Sequence, residues 1–185
     1  DLGAECLGSY GGISYSTPNL DKLASSGVKF ENCYCTALCT PSRVEALTGR
    51  YPFRTGWTDL LGRRDIAKFL DPKKERTIAH ILKKTGYVTA VSGKWQMSYL
   101  EDYFGDHLKQ CGFDEYCCWA GNTEEKKSSR YWDPEIWQDG NLRTEKGKYG
   151  PDIFHNFVID FITKNKDKPF FVYYPTVLVH GPFTN

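Results

Sequence analysis

A cysteine at position 39 is followed by proline two residues on and arginine four residues on, in the stretch CTPSR (39–43), where the chain turns helical. A thiol at a helix start beside a guanidinium sits in positive potential, which suits a nucleophile or a residue marked for modification. Two other positions share that chemistry. Lys94 in SGKW (92–95) follows one apolar run, and His180 ends another, PFFVYYPTVLVH (169–180). Together with Arg43 they form a cationic set suited to a tetrahedral oxyanion. Taken singly each has a plainer reading: a cysteine packs as a small hydrophobe, a lysine is solvated, and a histidine caps or supports a strand.

Such a set needs a frame that brings distant residues to one place. TPNLDKLASSG (17–27) predicts a helix with Leu20 and Leu23 on one face, opened by Thr-Pro and closed at Gly27. VKFENCYCTA (28–37) reads as a strand or extended segment, and PSRVEALTG (41–49) as a short helix closed by Gly49. TIAHILKKTG (77–86) is a helix with Ile78, Ile81 and Leu82 apolar, and YVTAVSG (87–93) is a buried strand directly after it. DIFHNFVIDFITKN (152–165) is an amphipathic helix leading to a strongly apolar strand, KPFFVYYPTVLVH (168–180). Helix-then-strand repetition argues an α/β fold, a mostly parallel sheet flanked by helices on both faces. Ligands collect beyond the carboxyl ends of such strands, which places Lys94, His180 and the Cys39 loop on one rim.

Composition narrows the class. The chain has 185 residues, 40% of them hydrophobic, enough for a globular domain burying roughly 70% of its unfolded surface. Its 24 basic and 23 acidic residues leave a net charge of +1, with no global pull toward nucleic acid or membrane. No apolar run reaches the ~20 residues of a membrane span. Seven cysteines are an odd number, so complete internal pairing is excluded. Cys33, Cys35 and Cys39 lack the second Cys or His pair that zinc spacing requires. Trp119, Trp132 and Trp137, interleaved with charged residues in the insert 116–150, suit either stacking on a sugar ring or covering the sheet.

These residues carry a family resemblance. The sequence resembles the formylglycine-dependent sulfatases of the alkaline phosphatase superfamily: CTPSR (39–43) matches their modification motif and LTGR (47–50) the run that closes it. TPNLDKLASSGVKF (17–30) is similar to the segment ahead of that motif, SGKW (92–95) to the lysine motif, and PFFVYYPTVLVH (169–180) to the strand ending in a sulfate-binding histidine. The resemblance implies hydrolysis of sulfate esters, arylsulfatase-like and acting on a sulfated small molecule or carbohydrate. Cys39 would be oxidised to formylglycine by a formylglycine-generating enzyme. One hydroxyl of the hydrated aldehyde attacks sulfur, and the other later expels sulfate. Arg43 would hold the diol, Lys94 would bind sulfate and the leaving oxygen, and His180 would bind sulfate. Calcium is the expected metal, with Asp1 and Cys39 among its ligands. Related readings are a formylglycine-dependent phosphonate monoester or phosphodiester hydrolase and a non-catalytic binding paralogue.

Two departures accompany the matches. The family sets two consecutive Asp ligands at the end of its first strand. Asp1, followed by Leu-Gly as in the family, corresponds to the second. The other Asp is expected upstream, and further ligands and a second lysine downstream. The chain is therefore expected to be the N-terminal portion of a catalytic domain, inactive by itself and periplasmic or extracellular in the complete protein. In GKWQ (93–96), Gln96 stands where many sulfatases have histidine, and an amide cannot accept the proton that a histidine takes.

Overall fold

The computed structural model describes residues 2–63, 69–99, 107–122 and 128–182. In chain order the elements are α1 (Pro18–Ser26), α2 (Cys39–Thr48), α3 (Pro52–Thr55), α4 (Ile78–Lys84), β1 (Val88–Gly93), α5 (His107–Gln110), β2 (Glu115–Trp119), β3 (Glu135–Gln138), β4 (Asn141–Thr144), α6 (Gly150–Asn165) and β5 (Phe170–Tyr173). They fall into two compact units, residues 1–35 with 179–183, and residues 36–178 with 184–185.

In the first unit α1 opens with Pro18, whose fixed φ and missing N–H suit a helix start. The Asp21 carboxylate accepts the Ser9 N–H at 2.7 Å and lies 3.1 Å from the Thr17 hydroxyl, tying the helix to the turns before it. α1 buries none of its residues, and Leu20 and Leu23 are exposed. The segment 28–37 forms no ladder. It is irregular and largely exposed, so of the two readings, strand or extended segment, the strand is not formed.

The second unit is built on a five-stranded sheet in the order β4-β3-β2-β1-β5. β1 pairs parallel with β2, Gly93 opposite Cys118, and parallel with β5, Val91 opposite Tyr173. β2 to β3 and β3 to β4 are antiparallel, so a hairpin from the aromatic insert extends the parallel core and the sheet is mixed. The short hairpin connection allows that reversal, whereas parallel neighbours need a crossover.

Alternation along the strands gives the sheet two covered faces. Tyr116 and Cys118 of β2 pack with Val91, Val44 and Leu47, joined by Ala79 of α4. Cys117 and Trp119 point the other way, onto Ile136, Tyr131 and Phe154 of α6. Helices thus lie on both faces. Trp119 and Trp137 are sheet residues, both buried, while Trp132 is exposed. Phe154 and Phe161 of α6 are buried, each contributing roughly 1.5–3 kcal/mol.

β1 ends where the backbone must turn sharply. Gly93 has φ +107°, and a Cβ there would lie 2.4 Å from the Pro175 carbonyl oxygen. Only glycine admits that approach, and it lets the Lys94 N–H donate to the same oxygen at 2.8 Å. β5 stops at Tyr173, short of the strand expected through 180, and Pro175 lies in the irregular stretch that follows.

Candidate active site

Cys39 is the first residue of α2 and half-buried; Leu38 precedes it with extended dihedrals and supplies no side-chain cap. The first N–H groups of a helix have no partner within it, and Pro41 in the first turn has none to leave unsatisfied. The other motif residues hold this start in place. Ser42 Oγ lies 2.8 Å from the carbonyl oxygens of both Thr36 and Leu38 and 2.7 Å from Thr36 Oγ1. Thr40, fully buried, accepts the Leu61 N–H at 3.2 Å. At the far end Gly49 takes φ +66° and donates to the Glu45 carbonyl at 2.8 Å, closing the helix as its sequence suggests.

Arg43 lies one turn beyond Cys39 and reaches out of α2. Its Nη1 donates to the Lys94 carbonyl at 2.5 Å, and the Tyr173 side chain at the end of β5 lies within its reach. One guanidinium therefore joins the cysteine's helix to the ends of two neighbouring strands. Arg43 Nε is buried and has no hydrogen-bond partner among the described residues.

Lys94 is 1% exposed, which is unusual for lysine. Burial pulls its ammonium down to about 8, opposed by Cys39 and assisted by Arg43 and Arg130. The Lys94 ammonium and the Cys39 side chain lie within electrostatic reach of each other. The cysteine and the lysine, far apart in sequence, thus meet as the rim argument requires.

Gln96 follows at φ +53°, a left-handed conformation that few side chains adopt without support. Its Oε1 is buried with no partner among the described residues. His180 belongs to the first unit, where its Nδ1 lies 2.7 Å from the Gly181 carbonyl oxygen. It follows an irregular segment and not a strand end as expected. Asp1 lies outside the described residues.

Arg130 escaped the sequence reading. Its guanidinium lies 4.3 Å over the Trp119 ring, and burial lowers its pKa, with Cys39 and Arg43 both within its electrostatic reach. The only sequence signal was an arginine among aromatics in the insert, which predicts a cation on a ring without locating it. Among the described residues no carboxylate pairs with Lys94, Arg43 or Arg130. Nor do three His, Cys, Asp or Glu side chains converge there to hold a metal ion. Around Cys39 the described residues therefore gather cations suited to holding an anion.

The sulfatase family model matches residues 1–185. The chain belongs to the sulfatase family. It is 34% identical over 176 residues to an N-acetylglucosamine-6-O-sulfatase of Bacteroides thetaiotaomicron, covering 94% of this chain and 28% of that protein. A human N-acetylgalactosamine-6-sulfatase is 32% identical over 203 residues, covering 98% of this chain and 38% of that protein. A solved structure of BT4656 in complex with its substrate D-glucosamine-2-N,6-O-disulfate matches with a TM-score of 0.78 at 32% identity, over 98% of this chain and 33% of that one. The chain thus spans about a third of the length of these sulfatases. The sulfatase family works in general with a formylglycine and a divalent metal.

Proposed function

We propose that the complete protein hydrolyses the sulfate ester of a sulfated carbohydrate, with residue 39 converted to formylglycine as nucleophile. The observation that carries this reading is the buried Lys94 ammonium within reach of Cys39, in a cationic set with Arg43 and Arg130 that no carboxylate among the described residues pairs with. Formylglycine supplies two hydroxyls on one carbon, one for attack on sulfur and one for release of sulfate. The chain's own residues supply the surroundings. Lys94, desolvated beside residue 39, offers its protons to the ester's oxygens as negative charge grows on the leaving group. In water that charge would be screened; in a dry site a preorganised cation stabilises it far more strongly. Arg43, held by the Lys94 carbonyl and Tyr173, fixes both partners. Gln96 offers an acceptor without taking a proton.

The relatives favour a particular substrate class. Two are named as 6-sulfatases of N-acetylhexosamines, which supports a 6-O-sulfated amino sugar. Calcium is the metal we infer for the complete site, and a formylglycine-generating enzyme is the partner that modifies Cys39. The test uses full-length protein made in its native host. Peptide mass spectrometry should find the aldehyde at residue 39, and 6-O-sulfated N-acetylhexosamine should be hydrolysed faster than an aryl sulfate or an aryl phosphonate. An unmodified thiol at full occupancy, or no release of sulfate from any ester, would overturn the reading.

A further inference from the structure

The sulfate-binding set has a member that neither the motif nor the family match supplies. Gly93 lies opposite Cys118 in the parallel ladder, so the next residues, Lys94 just past β1 and Trp119 at the end of β2, lie side by side on the sheet's carboxyl rim. Trp119 carries Arg130 on its face at 4.3 Å, and the Arg130 Nη1 is buried with no hydrogen-bond partner among the described residues. A buried guanidinium N–H without an acceptor is costly unless something fills the place. Cys39 lies within its electrostatic reach.

The segment that holds Arg130 is fixed from several sides. Ser128 Oγ accepts the Trp119 Nε1 proton at 2.9 Å, and the Glu135 N–H donates to the Ser129 carbonyl at 3.2 Å. The Tyr131 hydroxyl donates to the Val177 carbonyl at 3.0 Å, and its own carbonyl accepts the Gly150 N–H at 2.7 Å. Gly150, at the start of α6, has no Cβ; one would lie 2.2 Å from the Arg130 carbonyl oxygen. The backbone of α6 thus presses against residue 130 and leaves it little freedom. A cation held this firmly, stacked on an indole, is preorganised to donate to an anion that carries several oxygens.

The geometry points to Arg130 as a substrate-binding residue that donates to an oxygen of the sulfate group transferred at residue 39. This rests on the sulfatase reading above and adds a residue to it. With Lys94 it places two cations about the sulfate, and three once Arg43 is counted as fixing residue 39. Arg130 touches the group throughout, so its loss weakens ground-state binding more than it slows the chemical step.

Arg130→Met in the full-length, modified protein tests this, because methionine still covers the Trp119 ring. The expected result is a KM for an aryl sulfate raised about 10- to 100-fold with kcat lowered less, and inorganic sulfate bound correspondingly more weakly by calorimetry. Inhibition by the desulfated alcohol should be unchanged, which mere loss of structure would not produce. A folded Arg130→Met enzyme with unaltered KM and unaltered sulfate binding overturns the assignment. So does an effect confined to substrates that carry a second anionic substituent, since Arg130 would then bind that group. If Arg130→Met does not fold, Arg130→Lys decides by the same two measurements, and wild-type sulfate affinity there overturns it. If wild-type enzyme hydrolyses no sulfate ester, the sulfatase reading fails on its own; sulfate then bound by wild type but not by Arg130→Met still supports the anion site, and equal binding overturns it.

Discussion

Cys39 and the cysteine pair of β2 are the same residue type in two opposite settings. Cys117 and Cys118 point to opposite faces of a strand, each fully buried, and burial pushes the Cys117 thiol up to about 12 and Cys118 well above its ordinary value. There the sulfur acts as a small hydrophobe that fills space. Cys39 stands at the free start of a helix, half-buried and within reach of a lysine ammonium. The difference lies in the element: a strand inside a two-faced sheet gives its side chains only packing partners, whereas a helix start at the sheet's rim offers unpaired N–H groups and neighbouring cations.

The sharpest test of that contrast removes each sulfur in turn. Cys39→Ala in the complete protein should abolish sulfate release. Cys118→Ala should leave turnover near wild type and lower stability by about 1 kcal/mol, read by denaturant unfolding. Loss of activity in Cys118→Ala with unchanged stability would break the comparison. Next in size, Lys94→Met should lower turnover by about 10²–10³ while the protein stays folded, measured with a chromogenic ester. The aliphatic stem is replaced by one that packs alike, so a large stability loss would mean that the ammonium supports the fold. Gly93→Ala should cost about 2–4 kcal/mol of stability, since it combines a positive φ with a backbone collision.

Titration gives a smaller effect. His107 is 6% exposed, packed edge-on against Phe69 and Trp95, and burial pulls it down to about 4, opposed by Asp71. Its folded pKa lies below the unfolded value, so as pH falls below 6.5 the unfolded chain takes up the proton first. Stability should therefore fall between pH 6.5 and 4, by at most about 3 kcal/mol. Unfolding measured across that window should show a shallower acid limb in His107→Gln. The smallest change concerns Gln96. Gln96→His should raise turnover at saturating substrate a fewfold, to about 10-fold, with little change in KM, since it restores a proton acceptor. Unchanged turnover would mean that another group already takes that proton.

Much of the site was legible because its chemistry lies in short segments. Cys39, Arg43 and Lys94 were named from CTPSR and SGKW, and the strand predicted at 87–93 places the lysine at its carboxyl end, as found. The helices over 17–27, 41–49, 77–86 and 152–165 are all present, because each has its own start and stop signals. What the sequence could not convey depends on partners across the sheet. The run after 168 is apolar throughout, and only the ladder shows that pairing with β1 ends at Tyr173. VKFENCYC has strand-forming residues but pairs with no strand among the described residues, so its propensity goes unused. Arg130 became visible only through its position on Trp119, a contact that no local pattern encodes.

Arg43 spends its short hydrogen bond on a backbone carbonyl and its second contact on a tyrosine, so the clamp between α2, β1 and β5 does not depend on what residue 39 carries. The socket and the reactive group are separable. Sulfur can be exchanged for oxygen at residue 39, or the carbon below it oxidised, without loosening the joint that aligns it. Chemistry at residue 39 is thereby confined to one tip, on a joint whose own contacts leave that tip out.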